Sequence, residues 1–181
     1  MQHRVYQRPV NNVNDLKQRL VETWSKMEQH GIDEAIDQCR RVLEVDSRFG
    51  RAQEELGRVY EQQEKFADAI TAFEKAVEIS KGDPVALASL GHAYASSRRP
   101  KQARAVLAEL RQLQKTRYVS PYALAVLCVG LGQDEETFEH LDRAYEERSS
   151  ALPFLNVNPR FDRLHGDPRF EALVSRMGLI A

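Results

Sequence analysis

The 181-residue chain predicts an all-α protein assembled from repeated helical units. Three observations carry that expectation. A 34-residue offset lays one stretch over the next, and within each stretch apolar residues recur at helical spacing. Several helix starts are also marked by an Asp or Ser before a proline. No stretch alternates apolar and polar residues as a half-buried strand would.

The period is read from Leu56-Gly57, which maps onto Leu90-Gly91, while Tyr60 maps to Tyr94, Ala69 to Ala103, Phe73 to Leu107 and Ala76 to Leu110. A further step places Leu124-Ala125, Cys128, Thr137, Leu141 and Ala144 at the same positions. Small residues (Gly57, Gly91, Ala125, Ala69, Ala103) allow two helices of a unit to approach. Large ones (Tyr60, Tyr94, Phe73, Leu107, Leu141) fill the space beside them.

Taken in chain order, residues 1–12 read as a flexible N-terminus. Residues 13–29 carry a helical face of Leu16, Leu20, Trp24 and Met27, but out of register. One period before Leu56-Gly57 stand Glu22-Thr23, and before Tyr60 stands Lys26. Ala35, Cys39 and Val42 do fit, so Ile32–Asp46 is expected as the second helix of a degenerate first unit, with a seam near Gly31. Trp24 and Met27 would then pack on Ile36 and Cys39. The phrase RPVNNVNDLKQRL…IDEAIDQ makes Val5–Gln38 resemble the C-terminal tail of mariner-like transposases. The acidic catalytic domain of those enzymes has no counterpart before Val5, so their activity does not carry over.

Two full units follow, then a third ending near residue 148. Asp83-Pro84, Ser120-Pro121 and Asp167-Pro168 are expected N-cap and first-turn pairs, and Asp134 is the expected cap after Gly132. With Leu-Gly, Tyr, Ala, Phe and Ala at a 34-residue period, the chain resembles the tetratricopeptide repeat. The resemblance implies an α-solenoid of stacked helical hairpins, about three full repeats plus the degenerate first one, over residues 13–148. It also implies a concave groove that binds peptides or proteins.

Residues 149–181 depart from the period and pair two phrases, NPRFDRL and GDPRFEAL. They resemble a segment that follows such repeats in bacterial proteins, often attached to kinase, cyclase or winged-helix regulator domains. Physically they read as a cap, with Pro153, Phe154, Leu155 and Phe161 covering the last hairpin. A short helix, Pro168–Met177, would close it before Gly178.

Charge is balanced, 26 basic against 27 acidic residues, for a formal net charge of −1. That excludes the basic footprint of a nucleic-acid binder, and Arg40–Arg41 and Arg98–Arg99 read as solvated helix ends. No apolar run approaches the roughly 20 residues of a membrane span, and the N-terminus lacks a secretory signal. Cys39 and Cys128 read as separate buried thiols in a reducing compartment, so a cytoplasmic location is expected.

Catalysis finds no constellation. His3, His30, His92, His140 and His165 show no metal-ligand spacing, no glycine-rich phosphate loop exists, and Cys128 occupies a core aromatic position. No enzyme activity, metal or cofactor is therefore expected. The resemblance implies that the first helix of each unit lines the groove with Arg51, Glu54, Arg58 and Glu61, then Val85, Ala88, His92 and Ala95, then Val119, Tyr122, Val126 and Val129. Such a groove is charged at its N-terminal end and apolar towards its C-terminal end, suiting a peptide with one charged and one hydrophobic part. The alternative is that Leu152–Phe161 fills the apolar part itself. Repeats that clamp a chaperone carboxylate use Lys and Asn where this chain has Glu54, Arg58, Ser89, Val119 and Ala123, which argues against that ligand. The expected role is a protein- or peptide-binding scaffold. The alternative role is a regulatory, sensory or oligomerisation segment of a larger bacterial signalling protein, and a homodimer stays open.

Overall fold

The computed structural model describes residues 13–178, with side chains from residue 29 onward. A long helix α1 (Val13–Val45) precedes three helical hairpins: α2 (Gly50–Gln62) with α3 (Phe66–Ile79), α4 (Pro84–Ser96) with α5 (Pro100–Leu113), and α6 (Pro121–Gly130) with α7 (Asp134–Glu146). Two short 3-10 helices, Leu152–Val157 and Pro159–Leu164, and helix α8 (Pro168–Arg176) complete the chain. Among the described residues there is no strand.

The period appears in the backbone as well as in the side chains. Each hairpin turn closes by a bond from Lys65, Arg99 or Gln133 N–H to the carbonyl of Tyr60, Tyr94 or Cys128, at 2.9, 2.8 and 3.0 Å. The residue before each donor, Glu64, Arg98 or Gly132, is left-handed, with φ of 57°, 61° and 72°. This helix-ending geometry satisfies carbonyls that the last turn would otherwise orphan. Only the third unit meets it with glycine.

Close approach explains the conserved spacing of small residues within the chain. A Cβ added at Gly57 would lie 2.6 Å from the Phe73 ring, and one at Gly91 would lie 2.7 Å from Leu127. Gly57 thus admits the aromatic ring of its own hairpin, whereas Gly91 admits a leucine from the next one.

The first unit differs from the expectation. Helix α1 runs unbroken through Gly31, so the expected first hairpin does not form. A helical glycine costs only about 1 kcal/mol against alanine, and the Gln29 amide donates to Asp33 at 2.8 Å across it. The expected packing of Trp24 and Met27 lies outside the described side chains. The C-terminal half of α1 nevertheless takes the second-helix role, with Ile36 buried against Leu56 and Ala72. Arg40 donates to the Tyr60 hydroxyl at 3.1 Å, and one period later the Tyr94 hydroxyl donates to Glu74 at 2.9 Å. Because α1 does not fold back, Val42 and Val45 stay exposed, although Ala76 at the position of Val42 is buried.

Helix starts divide. The Asp83 carboxylate accepts from Val85 and Ala86 N–H, and Asp167 accepts from Arg169 N–H. Ser120 makes no such bond, and the residue before α7 is Gln133 rather than Asp134. Asp134 is instead the first helical residue, where its carboxylate pairs with Arg163.

The C-terminal segment covers the last hairpin, but not through all the expected residues. Leu155 and Phe161 are buried, whereas Pro153 and Phe154 are exposed. In a 3-10 helix, residues three apart share a face, so Leu152, Leu155, Phe161 and Leu164 point inward together and Phe154 points out. With Phe170, Leu173 and Val174 they join Phe138, Leu141 and Ala144 in one apolar cluster.

Candidate functional site

The C-terminal segment meets helices α2, α4 and α6, the first helix of each hairpin. Asn158 caps the second 3-10 helix by accepting from Arg160 N–H at 3.2 Å, and its amide donates to the Tyr122 hydroxyl at 2.9 Å. Phe161 packs against the Tyr122 ring, with centroids 5.6 Å apart. Between these two anchors Arg160 reaches α2 and α4. Its Nε donates to Glu61 Oε2 at 2.8 Å, its Nη2 lies 2.7 Å from the same oxygen, and its Nη1 donates to Ser89 Oγ at 3.2 Å. The guanidinium also lies 5.6 Å from the Phe73 ring centroid. Arg163 adds a bond from Nε to the Val129 carbonyl at 3.1 Å.

Glu61 is the hub. Its other oxygen lies 2.7 Å from His92 Nδ1, and the side chains of Glu61, His92 and Arg160 are about nine-tenths buried. Burial pushes the Glu61 carboxyl up, but Arg160 and then His92 outweigh it and hold the carboxyl below its ordinary range. Burial drives His92 the other way from a salt-bridged imidazole: it falls below its ordinary value despite Glu61. A neutral imidazole donating from Nδ1 to a charged carboxylate fits both directions.

Two family models match the chain, both described as tetratricopeptide repeat, over residues 22–84 and 60–124. The chain belongs to the tetratricopeptide repeat family. No curated protein matches it significantly. The transposase-tail resemblance gains no support, since residues 22–38 fall within the repeat match. Repeats of this family mediate protein–protein interaction as scaffolds and are typically non-catalytic. No described helix is long and apolar enough to cross a membrane.

In this tetratricopeptide repeat protein the twelve positions expected to line the groove separate into two groups. Arg51 is exposed beside Glu55, Val85 is exposed, and Arg58 is half-buried with its Nη2 donating to Glu54 at 2.6 Å. Arg51, Val85 and Arg58 form the open N-terminal part, and Glu54, only 13% exposed, lies under Arg58. Glu61, His92 and Tyr122 engage or adjoin the C-terminal segment. Val126 and Val129 are buried in the terminal cluster, Ala88 and Val119 in the middle one, and Ala95 packs against that middle cluster. Sequence reasoning missed Arg160, Asn158 and Arg163. NPRF was legible as a phrase, but nothing local paired its arginine with a carboxylate 99 residues away.

The repeat protein also gathers three residues that sequence spacing left apart. Ligating atoms of Cys128, Glu136 and His140 all lie within 4.8 Å of one another. Burial, then Glu136, pushes the Cys128 thiol up to about 12, and burial lowers His140.

Proposed function

We propose that the chain is a protein-binding scaffold that docks a peptide segment along its inner face, on Arg51, Glu54, Arg58 and Val85. The segment Asn158–Arg163 is the resident occupant of the remaining half. One observation carries the reading: a peptide of this chain already lies on that face through an arginine on Glu61 and Ser89 and an aromatic on Tyr122. A face that accepts one short 3-10 segment by side-chain anchors has the chemistry to accept a peptide beside it. Half-exposed Arg58 suits a carboxylate on the partner, and exposed Val85 suits an apolar side chain.

The test places a photo-crosslinker at Val85 and, as a control, at Glu109 on the outer helix α5. The expected result is a crosslinked partner at Val85, reduced at least tenfold by Arg58→Glu and absent at Glu109. Equal crosslinking from both positions, or indifference to Arg58→Glu, overturns the reading.

A second reading, a regulatory or oligomerisation segment of a larger signalling protein, is favoured by a different feature. Val42, Val45 and Phe49 are exposed around a shallow depression of about 480 Å³ at the N-terminal end of the hairpins. Sedimentation of wild type and Val45→Glu separates the two, because self-association through this end disappears in the variant while inner-face crosslinking is unchanged.

A further inference from the structure

The repeat supplies an internal control for the cluster on α6 and α7. Cys128, Glu136 and His140 occupy positions held one period earlier by Tyr94, Gln102 and Val106, and two periods earlier by Tyr60, Asp68 and Ala72. At the position of His140 the other units bury small apolar groups, Val106 and Ala72, so packing alone does not ask for an imidazole there. The third unit alone replaces all three residues with metal-ligating types.

The geometry agrees with that chemistry. Glu136 and His140 stand four apart on α7, one helical turn, and so share a face. Cys128 approaches them from α6, its Sγ lying 3.7 Å from Glu136 Oε2. A tetrahedral ion with bonds of about 2.3 Å to sulfur and 2.0 Å to oxygen separates those two atoms by roughly 3.5 Å. Cys128 is buried beneath the pair, whereas the Glu136 side chain is 36% exposed, leaving an approach from solvent. Arg111 on α5 donates to that same Glu136 Oε2 at 2.7 Å and would be the outer partner of the carboxylate once it ligates.

We infer that Cys128, Glu136 and His140 form a binding site for a thiophilic divalent cation of the zinc class. Binding breaks the Cys128 S–H bond, forms a sulfur–metal bond and releases the proton to solvent, with no change of oxidation state. Three protein ligands leave one tetrahedral position for water or for a donor from a partner protein.

The test titrates the chelator-stripped full chain with cobalt(II), followed by absorbance. The expected result is one equivalent bound, a thiolate-to-cobalt charge-transfer band with tetrahedral visible bands, and displacement by zinc. Cys128→Ser abolishes the charge-transfer band, and His140→Val, which copies the second unit and so retains the fold, weakens binding by about tenfold or more. Cys39→Ser leaves the band intact. The inference is overturned if wild type develops no such band, if His140→Val binds as tightly as wild type, or if the band follows Cys39 instead. Melting curves establish that each variant is folded, and should Cys128→Ser fail to fold, His140→Val and Glu136→Gln decide the outcome.

Discussion

The Arg160 guanidinium lies 2.7 Å from the Glu61 carboxylate across 99 residues of chain, and both side chains are about nine-tenths buried. This pair ties the C-terminal segment to the first complete hairpin. Arg160→Ala leaves Glu61 buried with only His92, so a loss of about 3–5 kcal/mol is expected. Adding Glu61→Gln removes the stranded charge and recovers part of it. Urea unfolding of the two single variants and the double variant measures the coupling, and strict additivity would contradict it.

Acid should weaken the protein from about pH 6.5 downward. Above that value His92 is neutral in folded and unfolded chains alike. Below it the unfolded imidazole takes up a proton that the buried one, lowered by burial, resists, so stability falls. Below about 4.5 the unfolded Glu61 carboxyl protonates while the folded one, held down by Arg160 and His92, does not, and the loss continues. His140 shifts in the same direction. Unfolding midpoints across pH should therefore show a shallower slope near pH 6 in His92→Gln than in wild type.

Two glycines are expected to respond to alanine with opposite signs. Gly31→Ala should stabilise by about 1 kcal/mol, since an added Cβ meets nothing within 4 Å in an unbroken helix. Gly57→Ala drives a methyl into the fully buried Phe73 ring and should destabilise by about 1–3 kcal/mol. Thermal melts of both variants check the pair.

Left-handed backbone at Glu64 and Arg98 offers a gain that the third unit has already taken at Gly132. Relief of that conformation outweighs the extra entropy of unfolded glycine, so Arg98→Gly should stabilise by about 0.5 kcal/mol. Equilibrium unfolding reads it directly, and a loss of stability would mean that contacts of the Arg98 side chain dominate.

Much of the fold was legible because a repeat multiplies weak local signals. Leu-Gly, Tyr, Ala and Phe recur where one helix meets another, so three noisy patterns reinforce a single reading. Proline after Asp83 or Asp167 marked true helix starts, because fixed φ and a side-chain acceptor act within one turn. Gly31 misled, because its local cost is small beside the hydrogen bonds on either side of it. Phe154 misled too, because a three-residue period orients side chains differently from a 3.6-residue one.

What the sequence determined by itself was the family architecture and the hairpin register, both of which depend on contacts between neighbouring units. Tertiary structure decided where the C-terminal segment lies on the hairpins. It placed Arg160 on Glu61 and Ser89, and it gathered Cys128, Glu136 and His140 around one point. Those groupings depend on how far the chain turns between hairpins and on where an irregular, non-repeating segment folds back. No periodicity encodes either quantity.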